Sequence, residues 1–453
     1  MIVLKFGGTS VADADAIRRS TGIVASRVDR GAIVVVSALA GVTNALLALA
    51  EQAAKGHLIG AIRAVEEIRD RHLTQADALL GSSGLAGDTA AELSAMCDEL
   101  AHLAEALATL GDLTPRSLDA IAAAGERMSS LLCVAAFREA GIPAVHLDAC
   151  EVMITDATFT RAEPQPDAIA DACRASVIPE VRAGRVPVLG GFIGSARRTG
   201  VTTTLGRGGG DYSASLFGAA VQAEAIEIWT DVDGMLTADP RVVPGARLIE
   251  RIAFDEASEL ASFGAKVLHP NTIAPAVRLG IPVYVLNSHR PQGNGTKITF
   301  DAPRRAVTAI AGKAGVTLLK VGSPRMLLTE GFLRLLFEVF ERHRTSVDVV
   351  ATSEVSVSLT IDDASRLEAI VGDLRALGDV SVERNRGIVA VVGGAIAEGG
   401  GAMARALDAI GQIRVHMLSL SATGINLTMV VDDEQVRPVI QRLHGAFFGG
   451  SAA

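Results

Sequence analysis

Ile2-Val3-Leu4-Lys5-Phe6-Gly7-Gly8-Thr9-Ser10 opens the chain with an apolar, β-branched run broken only by Lys5, followed by a glycine pair and two hydroxyls. A run of this kind before small turn-forming residues reads as a strand of a covered parallel sheet. Residues 32–37 (AIVVVS) repeat the pattern, and further strands are expected at 186–190, 225–230 and 282–287. Between them, Ala/Leu-rich segments near 13–28, 42–54, 58–80, 88–110 and 116–140 carry charges at helical spacing. The alternation predicts an α/β fold up to about residue 300, a parallel-rich central sheet covered by helices.

After Asp301-Ala302-Pro303 the rhythm shortens. Strand 315–322, helix 331–344, strands 346–352 and 355–361, helix 364–377 and strand 379–384 spell one ferredoxin-like βαββαβ module. Strand 387–393, helix 400–411, strands 413–419 and 425–431 and helix 433–446 spell a second that lacks its last strand. The leftover run 306–312 (AVTAIAG) is expected to complete it, so that the first module is inserted in the second and no open sheet edge remains. The expected domains are 1–303, 314–385, and 306–312 plus 386–449.

The composition narrows the function. With 453 residues a single small module is excluded, and 49% hydrophobic against 21% charged residues excludes a disordered chain. The net charge of -9 comes without a Lys/Arg-rich run, which argues against nucleic-acid and anionic-membrane partners. Four cysteines, at 97, 133, 150 and 173, form no CxxC or zinc pattern and suit a reducing cytoplasm. No apolar stretch is expected to approach the roughly 20 residues of a bilayer span. HExxH and GxSxG are absent. A metabolite-handling protein without a metal site of its own is the reading.

Several segments carry chemistry. Lys5 and Gly7-Gly8 at a strand end and helix start suit an anion, although a surface lysine before a turn reads the same way. Ser37 to Asn44 places hydroxyls and glycine at the carboxyl end of the next strand, where open parallel sheets bind ligands, or Thr43 merely caps a helix. Glu126, in the small apolar run AIAAAGERMSSLL, either pairs with Arg127 or faces a ligand ammonium. Gly206-Arg207-Gly208-Gly209-Gly210-Asp211, ahead of a helix pattern from Tyr212, lets backbone amides approach an anion beside the planar fork of Arg207. Thr230-Asp231-Val232-Asp233-Gly234 with Asp239 and Arg241 could hold a nucleotide; the EF-hand spacing for calcium is not met. Lys266 sits among small residues that could approach a phosphate or on a helix surface.

In this order, KFGGTSVAD (5–13), SALAGVTN (37–44), GER (125–127), GRGGGDYSA (206–214), TDVDGMLTADPR (230–241) and FGAKVLHP (263–270) resemble the aspartate kinases of the amino acid kinase family, followed by paired ACT domains. The resemblance covers the whole length and is nearest to the monofunctional, lysine-sensitive type, with no dehydrogenase domain. It implies transfer of the ATP γ-phosphate to the β-carboxylate of L-aspartate, the entry to lysine, threonine and methionine, with Mg2+ held mainly through ATP phosphates. Lys5, Arg207 and Asp211 would be catalytic. Thr43, Glu126, Arg207 and Gly208 to Gly210 would bind aspartate. Lys5, Gly7, Gly8, Ser37, Thr230, Asp231, Leu236, Arg241, Lys266 and Val267 would bind ATP.

The resemblance further implies an ACT-mediated homodimer, or a tetramer, and a lysine effector site. That site would use Met326, Thr329, Gly331, Phe332, Leu333, Ser346, Val347, Asp348, Thr352, Ser353 and Glu354. Asp348 and Glu354 suit the two ammonium groups of lysine; threonine is the alternative effector. Gly210 replaces the serine and Leu236 the tyrosine of close relatives. A catalytically silent amino-acid sensor and a related kinase with another acceptor are the competing functions.

Overall fold

The computed structural model describes residues 1–264, 270–324, 326, 330–398 and 400–449. They fold as two compact units, Met1–Met235 with Val267–Phe300, and Leu236–Lys266 with Asp301–Ala453.

In the first unit Ile2–Phe6 is central. It pairs in parallel with Ala32–Val36 on one side and Ala225–Thr230 on the other. The sheet extends through Val186–Gly190 to Ala144–His146, and through Val283–Asn287 to the antiparallel strand Thr296–Ile298. Ile2, Val3, Leu4 and Phe6 are fully buried because helices cover both faces, which is why these strands read as unbroken apolar runs. The helix Ala14–Ala25 is capped by Asp13, whose carboxylate accepts from the Ala16 amide at 2.8 Å. The helix expected over 116–140 is two, Pro115–Ala122 and Ala124–Glu139. Contrary to the sequence expectation, Pro115–Glu139 is long and apolar enough to cross a membrane by length and composition; 83% of its apolar window is buried within the protein. A small second sheet of Ile154–Thr155, Ile193–Ala196 and Thr202–Thr204 was not anticipated, its strands being too short to show a period.

The second unit holds one six-stranded antiparallel sheet in the order Val350–Thr352, Ser356–Ile361, Ala309–Gly322, Asp379–Val392, Asn426–Asp432, Met417–Leu420. The two central strands are 14 residues each, where the sequence suggested four shorter ones. Gly315 (φ 78°) and Asn385 (φ 55°) look like turn residues but act as irregularities inside continuous strands, with register shifts between Lys313 and Leu318. Residues 309–313 pair with 388–392, and 316–322 with 379–386. The leading segment thus ladders with the opening strand of the second module, while the rest of the same strand serves the first.

Each module has its own core. Phe332–Arg342 and Leu367–Leu374 cover one, Gly401–Ile410 and Val436–Phe448 the other. The expected continuous domain 1–303 is interrupted, since the described residues 236–264 group with the second unit. Ala238 is buried in the core of the second module, with Val242, Val243 and Ala246 against it. The Ile310 amide donates to the Thr237 carbonyl at 2.9 Å, and the Thr308 hydroxyl to buried Glu256 at 2.7 Å.

Candidate active site

The carboxyl ends of Ile2–Phe6 and Ala32–Val36 open into a cavity of about 610 Å³ in the first unit. Lys5, Gly8, Ser37, Thr43, Glu126, Arg207, Gly208, Gly209, Gly210 and Asp211 all line it, although they span most of that unit in sequence. Lys5 Nζ lies 2.7 Å from Asp211 Oδ1, and both side chains are largely buried. Parallel strands deliver Lys5 here because its strand is central, and the helix Gly209–Ala220 presents Asp211 in its first turn.

Glycine is required at the loop. Gly206 and Gly208 have φ of 77°, and a Cβ on Gly209 would lie 3.0 Å from Phe192 Cα. A Cβ on Gly210 would lie 3.2 Å from both Lys5 Cε and Ser37 Oγ, so glycine lets the loop settle against the lysine. Arg207 is exposed in the cavity wall and forms no ion pair with a described residue.

Glu126 is 4% exposed. Burial pushes its carboxyl up to about 7, against the opposing pull of backbone donors at Ala38 and Glu126 and of the Lys5 charge. Its Oε2 is buried without a hydrogen-bond partner. Of the two readings of this acid, pairing with Arg127 is not what forms: the Arg127 guanidinium turns to Thr202, Cys150 and Asp148.

One cavity resident escaped the sequence reading. Asp119 is 1% exposed, and its carboxylate accepts from the Thr160 amide at 2.9 Å, the Thr204 amide at 3.0 Å and the Thr204 hydroxyl at 2.7 Å. It fastens two chain segments that border the glycine loop, and burial raises its carboxyl while these donors oppose the rise. In sequence it is one acid in the short amphipathic helix Pro115–Ala122, with nothing to set it apart from a solvated residue.

The amino acid kinase family model matches residues 1–287. The chain is 39% identical over 457 residues to lysine-sensitive aspartokinase 3 of Escherichia coli K12, covering 99% of both proteins. The chain belongs to the amino acid kinase family. It is also 36% identical to the chloroplastic aspartokinase 3 of Arabidopsis thaliana, over 98% of this chain and 81% of that one. Among solved structures, E. coli aspartokinase III with aspartate and ADP in the R-state superposes with a TM-score of 0.85 at 38% identity, covering 99% of this chain and 100% of that one. The same enzyme with lysine and aspartate in the T-state gives 0.82, again at 38% identity and 99% coverage of each.

The remaining residues expected from the family pattern fall as follows. The Gly7 amide donates to the Trp229 carbonyl at 3.1 Å, so it is spent on the fold and not offered to an anion, a correction to the expected glycine pair. Thr230 ends a strand of the first unit and Asp231 follows it, the threonine hydroxyl donating to the aspartate at 3.1 Å. Leu236 and Arg241 belong to the second unit, where Arg241 is engaged bidentately by Asp239, the shortest contact being 2.7 Å. Lys266, Val267 and Thr329 lie outside the described residues.

In the first regulatory module Met326 and Val347 pack against the core, Phe332 is buried, and Leu333 is exposed. Gly331 caps its helix in the left-handed region. Ser353 bonds Ser356, while Ser346, Thr352 and Glu354 are exposed. Asp348 Oδ1 is 2.8 Å from Lys313 Nζ, and its Oδ2 is buried without a hydrogen-bond partner. Among the described residues no three His, Cys, Asp or Glu side chains cluster as a metal site.

Proposed function

We infer that the chain is an aspartate kinase, transferring the γ-phosphate of ATP to the β-carboxylate of L-aspartate and inhibited by L-lysine. The observation that carries the reading is one cavity in which a buried carboxylate with a free oxygen shares space with an arginine and a lysine. That set matches a zwitterionic acid acceptor beside a polyphosphate.

Carboxylates with pKa about 3.9 are ionised at neutral pH, so the nucleophile needs no general base. Catalysis then reduces to alignment and charge stabilisation. In this reading Glu126 receives the α-ammonium, Arg207 the α-carboxylate, and Thr43 and the glycine loop fix the acceptor. Lys5, held in place by Asp211, meets the charge that develops on the transferring phosphoryl group, with Gly8 and Ser37 beside it. Thr230, Asp231, Leu236, Arg241, Lys266 and Val267 are proposed for the nucleotide. Magnesium, held mainly through the ATP phosphates, would supply charge neutralisation at the triphosphate oxygens.

Lysine is proposed to bind the first regulatory module at Gly331 to Leu333, Ser346, Asp348, Ser353 and Glu354, in a cytoplasmic homodimer joined through these modules. ADP release with ATP, magnesium and L-aspartate, L-glutamate serving as control, tests the reading. Aspartate-dependent turnover suppressed by lysine is expected. Suppression by threonine alone would revise the effector, and a folded, lysine-binding chain without turnover would overturn the enzyme in favour of a silent sensor. Lys5→Met is expected to lower kcat by about 100- to 1,000-fold with little change in aspartate KM, as for removal of one transition-state donor.

A further inference from the structure

The helix Ala124–Glu139 also borders a second cavity of the first unit, about 280 Å³. Neighbouring helical residues point about 100° apart. Glu126 accordingly lines the active-site cavity and Arg127 the second.

Arg127 brings this cavity a cation whose one ion-pair contact, to Asp148, is long. Its Nη2 donates to the Thr202 hydroxyl and the Cys150 sulfur, both neutral, at 3.3 Å. Asp148 stands off at 4.0 Å, and the Arg127 Nε is buried with no hydrogen-bond partner. Nε is thus the open donor of the edge with which a guanidinium grips a carboxylate, and a second bond from Nη2 would replace one of its two long contacts to Thr202 and Cys150. A buried donor left unpaired is costly, so Nε is open to an acceptor. His146 does not compete for that role: it is bonded to Ser130 at 2.9 Å, and burial lowers its pKa and favours the neutral ring.

The rest of the lining supplies the complement. Exposed Glu99 and half-buried Asp148 add negative charge, while Leu100, Leu103 and Ile193 add an apolar wall. A group that offers a carboxylate to Arg127, an ammonium to the acids and a hydrocarbon to the wall is an α-amino acid. We propose that this cavity binds a neutral α-amino acid with an apolar side chain, at a site separate from that for aspartate. The volume holds one such molecule and excludes a nucleotide.

The test is calorimetric titration of the full-length protein with L-leucine and L-methionine, with and without saturating aspartate and ADP. 4-Methylpentanoate and 3-methylbutylamine, which each lack one charged group of leucine, serve as controls. One-to-one binding is expected, unaffected by aspartate and weakened at least about tenfold by loss of either charged group or by Arg127→Gln. Leu103→Trp fills the cavity from a residue already 37% exposed, and should weaken binding even if the arginine variant fails to fold. No binding of either amino acid up to about 10 mM, displacement by aspartate, or binding indifferent to the folded variants would overturn the proposal. Each readout is binding, so the result is independent of whether the chain turns over aspartate.

Discussion

Glu126 concentrates the chemistry of the site in one ionisation. Burial raises its carboxyl to about 7, and only the ionised form can receive an ammonium. kcat/KM for aspartate is therefore expected to fall about tenfold per pH unit below about 7. In a pH profile Glu126→Gln should lose this limb, together with about 10- to 100-fold of kcat/KM at pH 8. The stability effect has the opposite sense. Below about 4.5 the group is protonated folded and unfolded alike; between there and 7 only the unfolded chain ionises, so its destabilising effect grows and is complete above 7. Thermal melting of the ligand-free proteins should show Glu126→Gln gaining on the parent at pH 8 but not at pH 4.

Asp119 makes the contrasting case. An amide at this position can serve fewer of the three donors, so Asp119→Asn should destabilise by about 1–3 kcal/mol in denaturant titration. It should also raise aspartate KM more than it lowers kcat. The glutamate was legible in the sequence because a charge inside a small apolar helix is anomalous. Asp119 was not, because one acid in a short amphipathic helix reads as its wet face.

At the scale of elements, the strand Ala309–Gly322 carries Lys313 to the carboxylate proposed to receive the effector. Burial raises the Asp348 carboxyl and the Lys313 ammonium counters that rise, leaving one buried oxygen without a partner. Asp348→Ala is expected to abolish lysine inhibition while uninhibited turnover persists. Lys313→Met removes the internal cation and should lower the half-inhibitory lysine concentration several-fold, both measured in steady-state assays. Most elements were legible: Leu58–Leu80 and Val42–Ala54 follow the sequence reading residue for residue, because their apolar periodicity runs over many turns. The fused central strands were not, since a left-handed glycine or asparagine has the same composition in a bulge as in a turn.

For the whole molecule, the passage of residues 236–264 into the second unit decides what can be separated. A chain ending at residue 303 keeps Ala238, Val242, Val243 and Ala246 but loses the core they pack against. Size-exclusion chromatography should find such a truncation aggregated, where the full chain elutes as a discrete species. The long central ladder has the reverse consequence for the first module. Lys313 stands opposite Ile388, so the chain passes from the second module into the first and returns at neighbouring points of the two central strands. In the language of gene rearrangement, that module is a cassette housed in what would otherwise be a hairpin. A two-residue Asn-Gly connector could replace residues 314–387 and still close the remaining four-stranded sheet, with nothing rethreaded.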